Sequence, residues 1–167
     1  MKKRFQSRCF PRILPVLAFG LFLNINAAAS MVSFYVIETG LPENRLNNEH
    51  SIQWENAFMD VFFDAGHIVS NSPIIRFEEK PQGDIFHSAD ISIMEARNWG
   101  IDYIIVAQLD YTSVLHSPEF ITIFIYKVNT NEKVFEGQMD GRTYRSTREE
   151  YDGIRNIIRS LTRYITG

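Results

Sequence analysis

The chain predicts an α/β fold: a mixed sheet of about five strands with three helices, in the order β-α-β-α-β-β-β-α, packed as a two- or three-layer sandwich. Three observations predict it. Tyr103-Ile104-Ile105-Val106-Ala107-Gln108-Leu109 is almost continuously apolar, as expected of a central strand covered on both faces. Two segments, one beginning near Ser51 and one near Ser146, repeat apolar residues at helical spacing. Two β-rich segments flank Asn129-Thr130-Asn131-Glu132, which reads as a hairpin turn.

Taken in order, Ser33 to Glu38 is rich in aromatic and β-branched residues and stops at Thr39-Gly40-Leu41-Pro42, so it reads as the first strand. A polar loop, Glu43 to His50, leads to a helix capped by Ser51 and running through Ala65. Trp54, Phe58, Val61, Phe62 and Ala65 form its expected buried stripe, with Phe63 off that stripe. Gly66 ends the helix, and His67 to Asn71 reads as a short second strand. Ile74 to Phe77 is expected to prolong that strand within a long loop over 72–87, punctuated by Pro73, Pro81 and Gly83. Ser88 or Asp90 is expected to cap a second helix ending at Trp99-Gly100. Ile101 to Tyr111 is the central strand; Phe120 to Val128 and Lys133 to Met139 are the hairpin strands, the first of them placed near a sheet edge. Ser146 and Glu149 make a capping box for the last helix, whose stripe is Tyr151, Ile154, Ile158, Leu161 and Ile165.

The first 29 residues read as a secretory leader rather than as fold. Lys2, Lys3, Arg4, Arg8 and Arg12 form a basic head, Ile13 to Leu23 an apolar middle, and Ala27-Ala28-Ala29 a small-residue exit. The middle falls short of the roughly 20 apolar residues that span a bilayer. Residues 1–29 are therefore expected to be removed, leaving 30–167 as one α/β domain in an exported, most plainly periplasmic, setting. The only cysteine, Cys9, precedes the apolar run, so no lipid-anchor site follows the leader. The remaining domain has no thiol for disulfides, nucleophilic catalysis or metal ligation.

Five of the 17 basic residues lie in the leader, so residues 30–167 carry 12 basic and 20 acidic side chains, a net charge of −8 against −3 for the whole chain. Such a surface repels phosphate backbones, and nucleic acid is not an expected partner. No glycine-rich phosphate loop and no Gly-x-Ser-x-Gly elbow occurs, and no cofactor is implied. His50, His67, His87 and His116 are scattered without metal-ligand spacing. Asp60 and Asp64 sit one helical turn apart, where paired carboxylates can hold a cation but more often form a solvated face. Glu78, Glu79, Asp84 and His87 share the long loop and make the best candidate for metal- or carboxylate-dependent hydrolysis.

Charge is unevenly distributed. Residues 30–140 hold six basic and 17 acidic side chains, whereas residues 141–167 hold six arginines and three acids. Arg148, Arg155, Arg159 and Arg163 fall within a sector of roughly 80° on the last helix, away from its apolar stripe. Guanidinium groups bind carboxylates and phosphates bidentately, so this face is the candidate partner-binding surface. Exposure of Phe63 or Trp99 would mark a docking patch as well.

Three passages carry a family likeness. Glu95-Ala96-Arg97-Asn98-Trp99-Gly100-Ile101-Asp102-Tyr103 with the apolar run that follows, Ala57 through Gly66-His67-Ile68-Val69, and Tyr126-Lys127-Val128-Asn129-Thr130-Asn131-Glu132-Lys133-Val134 resemble the helix, strand and hairpin segments of a group of bacterial envelope domains. That group includes the amino-terminal domain of the Tol-system periplasmic protein, the curli-secretion lipoprotein and the lipoprotein activators of penicillin-binding proteins. The matching residues are packing and turn residues, so the resemblance implies a fold and an accessory role in binding envelope components, with no catalytic residues. The lipidation cysteine of those relatives is absent here. The leading expectation is thus a non-enzymatic exported domain that binds another cell-envelope protein or complex. The alternatives are the hydrolase above and a periplasmic small-ligand carrier with its pocket between the 72–87 loop and the sheet.

Overall fold

The structure, a computed structural model, describes residues 29–40, 49–111 and 117–165. All of the leader except Ala29, most of the polar loop after the first strand, and His116 lie outside the described residues.

The central run does form the middle of the sheet. β1 (Met31–Thr39) and β4 (Tyr103–Asp110) pair in parallel from Val32 opposite Tyr103 to Thr39 opposite Asp110, and all eight residues of β4 are buried. β5 (Phe120–Lys127) and β6 (Glu132–Asp140) continue the sheet antiparallel, joined through a turn in which Asn131 adopts a φ of 54°. β5 is therefore near an edge but covered there by β6, which is the edge strand on that side.

On the other side of β1 the expected single strand is two. β2 (Ile68–Asn71) pairs with the first half of β1, and β3 (Ile75–Phe77) pairs with its end, Ile37 to Thr39. Pro73 lies between them and has no amide hydrogen for the ladder, so pairing breaks there and resumes beyond it. The sheet thus has six strands among the described residues, in the order β2-β1-β4-β5-β6 with β3 beside β1.

Helices cover both faces, which makes the sandwich three-layered. α1 (Glu49–Asp64) and α4 (Thr147–Leu161) pack on one face through Trp54, Phe58, Phe62, Ile154, Ile158 and Leu161 against Val32, Phe34, Val36 and Ile105. α1 starts before Ser51, which is buried inside it rather than capping it, and Ala65 is exposed rather than part of the stripe. On the opposite face the expected second helix is α3 (Ile93–Asn98), which starts later than expected, and an additional short helix, α2 (Ile85–Ser88), precedes it at the end of the stretch expected as loop. Asp84 caps α2 and Ser92 caps α3; between them Asp90 turns to a φ of 54°, which no continuous helix accommodates. Ile85, Phe86, Ile91 and Ala96 bury Ile37, Ile104 and Val106. This second layer covers β1 and β4 and leaves the same face of β5 and β6 largely open.

Candidate functional site

α4 forms because its residues agree with one another. Ser146 accepts from the Glu149 amide at 3.2 Å, and Glu149 accepts from the Arg145 amide at 3.0 Å, which satisfies two of the donors a helix start leaves free. The apolar stripe then seats the helix, and the arginines emerge elsewhere on its surface. Arg148, Arg159 and Arg163 are exposed, and no carboxylate among the described residues pairs with them. Arg159 bonds Asn156 at 2.9 Å, and Arg163 lies over the Tyr164 ring at 4.9 Å. Arg155 differs: it pairs with Asp64 at 2.9 Å and lies over Tyr151. Asp60 accepts from the Tyr151 hydroxyl. The two carboxylates singled out on α1 are thus fasteners between α1 and α4, a role their spacing alone does not reveal.

These contacts also fix direction. Asp60 meets Tyr151 and Asp64 meets Arg155, so α1 and α4 run the same way and finish at one end of the molecule. α1 leads through Gly66 into β2, and α3 leads through Gly100 into β4. β2 and β4 both run parallel to β1, so their starts lie at that same end. That end therefore carries Arg159, Arg163, Phe63 (71% exposed) and Ile68 on the α1 and α4 side and at the sheet, with Trp99 (73% exposed) on the opposite, α3 side. Phe63 and Trp99 both meet the stated condition for a docking patch.

The opposite end, at the carboxyl termini of β1, β3 and β4, is polar and buried. Asp110 accepts from Thr39, from Gln108 Nε2 at 2.7 Å and from Lys80 Nζ at 2.6 Å. Burial pushes the Asp110 carboxyl up, but these hydrogen bonds and the Lys80 charge outweigh it and hold the group below its ordinary value. Glu38, fully buried on the α1 face, accepts from Arg76 Nε at 2.7 Å across the β1–β3 register, while its Oε1 has no partner. The order of strand addition reverses between the parallel strands β1 and β4: after β1 the chain moves to β2 on one side, and after β3 it returns to β4 on the other. Open α/β sheets bind ligands at such a switch point, beyond the carboxyl ends of the strands. Beside it a groove of about 500 Å³ opens between residues 80–85 and the free face of β5 and β6.

The loop cluster proposed for hydrolysis does not converge. Glu78, Glu79, Asp84 and His87 are all exposed, and Asp84 is engaged in capping α2. Among the described residues no group of three His, Cys, Asp or Glu side chains is placed to hold a metal ion. His50 bonds Glu150, which ties the starts of α1 and α4 together. His67 packs against Phe62, and burial pulls its pKa down. The Lys80–Asp110 and Arg76–Glu38 pairs were missed by sequence reasoning; a signal existed in two acids closing otherwise apolar strands, at Glu38 and Asp110.

Comparison with known proteins follows this geometry. Residues 43–145 match the model of a family described as Uncharacterised protein; the match spans more than half of the chain, which belongs to that family. No curated protein matches. Among solved structures the chain is similar to PelC of a dodecamer from Paraburkholderia phytofirmans, at 14% identity over 83% of this chain and 89% of that one, TM-score 0.48. It is similar to TolB from Acinetobacter baumannii at 12% identity and TM-score 0.48, over 83% of this chain but 29% of TolB. The LpoB C-terminal domain from Salmonella enterica matches at 18% identity over 71% and 85%, TM-score 0.46. TolB and LpoB belong to the envelope group that the sequence resembles, and at these identities the likeness is one of fold.

Proposed function

We propose that this chain is an exported, non-enzymatic domain that binds another cell-envelope protein through the arginine face of α4 and the apolar end adjoining it. One observation carries the reading: Phe63 and Trp99 are each more than two-thirds exposed at the end where Arg159 and Arg163 lie without carboxylate partners among the described residues. Exposed aromatics beside arginine are the side chains that dominate protein interfaces. Arg148 and Arg159 supply bidentate donors for acidic groups on the partner, while Arg155 stays bound to Asp64 and positions the face. The leader at residues 1–29 supports export, with Ser30 as the mature amino terminus.

The test is cross-linking in intact cells, followed by comparison of wild type with the combined variant Arg148→Glu, Arg159→Glu, Arg163→Glu. A discrete higher-mass complex that disappears in the variant, with thermal melting unchanged, supports the reading. The same complex formed equally by both proteins removes the arginine face from it.

A further inference from the structure

The groove beside the switch point has a polar lining whose structural contacts leave some hydrogen-bonding capacity over. Its floor is the row Gln108, Thr122, Gln138 and the neighbouring rows that end in Glu136 and Lys133; its rim carries Asp84. The volume, about 500 Å³, suits a small ligand rather than a single ion. Gln108 is buried, and its Nε2 is committed to Asp110, so its carbonyl oxygen remains as the acceptor at the floor. One oxygen of Asp84 accepts from the Phe86 amide at 3.0 Å, which leaves the other for a donor from outside. Lys133 and Glu136 pair with each other on the open edge strand, both substantially exposed. Exposed pairs of this kind exchange easily with a competing charge.

Charges of both signs therefore face one groove, separated by amide and hydroxyl groups. Asp84 acts electrostatically on Lys133, which places the two within each other's field across the opening. A simple anion meets Asp84 and Glu136, a simple cation meets Lys133, and a neutral sugar brings no charge to Asp84; Lys80 is held by Asp110. A ligand with both charges and an amide between them can exchange with the Lys133–Glu136 pair and also supply Asp84 with a donor.

We propose that the groove binds a short zwitterionic peptide. The peptide carboxylate displaces Glu136 from Lys133, its ammonium group meets the second oxygen of Asp84, and its amides bond Thr122, Gln138 and the Gln108 carbonyl. No covalent step is involved. The proposal is independent of the docking face on α4.

The experiment titrates the purified domain with trialanine, N-acetyl-trialanine and trialanine amide, read by calorimetry and by backbone amide shifts. Trialanine should shift residues of β5, β6 and 80–85, and blocking either terminus should weaken binding roughly tenfold. Lys133→Ala should abolish the preference for the free carboxylate. Asp84→Asn, which keeps the cap, should abolish the preference for the free amine. The α4 triple variant should bind trialanine as wild type does, so the two proposals fail separately. No shifts at millimolar trialanine, equal binding of all three peptides, or stronger binding of a chitooligosaccharide would each overturn it.

Discussion

Asp110 sits where Thr39, Gln108 and Lys80 converge at the ends of two parallel strands, and its charge is held there by all three. Its folded pKa is depressed, so the stability it contributes is present above the unfolded value of about 3.9 and is lost as pH falls through the folded value. Asp110→Asn should lower neutral-pH stability by about 1–3 kcal/mol, and the gap from wild type should shrink at acid pH; urea melts across pH measure both. The lower part of that range is expected, since Lys80 is largely exposed. Tyr151 has the opposite sign. Burial, then the hydrogen bond to Asp60 and its charge, push the phenol up to about 12. Its contribution is full below the ordinary value near 10 and is lost as pH rises toward 12. Burial also raises Tyr126 and Tyr144, so phenolate absorbance should show a late-titrating group of tyrosines whose component near 12 is lost in Tyr151→Phe.

At the scale of elements, what was legible in the sequence was whatever one local rule decides. The α4 stripe, the Ser146 cap and the buried β4 run follow from spacing and cap chemistry alone. Ser146→Ala should therefore destabilise the domain by about 1 kcal/mol in urea melts. Gly40 can be read as a stop signal in sequence, but its necessity shows only in space: at a φ of +80°, a Cβ there would sit 1.9 Å from the Tyr111 carbonyl oxygen. Gly40→Ala should consequently cost several times more than Ser146→Ala in the same melts. The misread elements all depend on partners distant in sequence. Ser51 looks like a cap because serine favours that position, yet it lies inside α1, near the Tyr111 hydroxyl at 3.4 Å. The helix expected from Ser88 or Asp90 starts only at the Ser92 cap, because Asp90 takes a left-handed turn and both Ile91 and Ala96 pack toward the sheet. Asp60 and Asp64 reveal their role only once α4 is folded beside them.

The whole molecule divides its chemistry between its two ends. The carboxyl ends of the strands hold paired, buried charges and the polar groove; the amino ends expose aromatics at the end where Arg159 and Arg163 have no carboxylate partner among the described residues. Residues 141–167 are net basic while 30–140 are strongly acidic, so the α4 face is where an acidic partner is attracted rather than repelled. The most direct test of this account is a photo-cross-linking scan in living cells. A photoreactive amino acid is placed singly at Phe63, Trp99, Arg159 and Arg163, and at Glu55, Asn71 and Glu78 as controls. The account predicts one shared protein adduct from the first four positions and none from the controls. Adducts of equal yield from both sets, or from the controls alone, would contradict it.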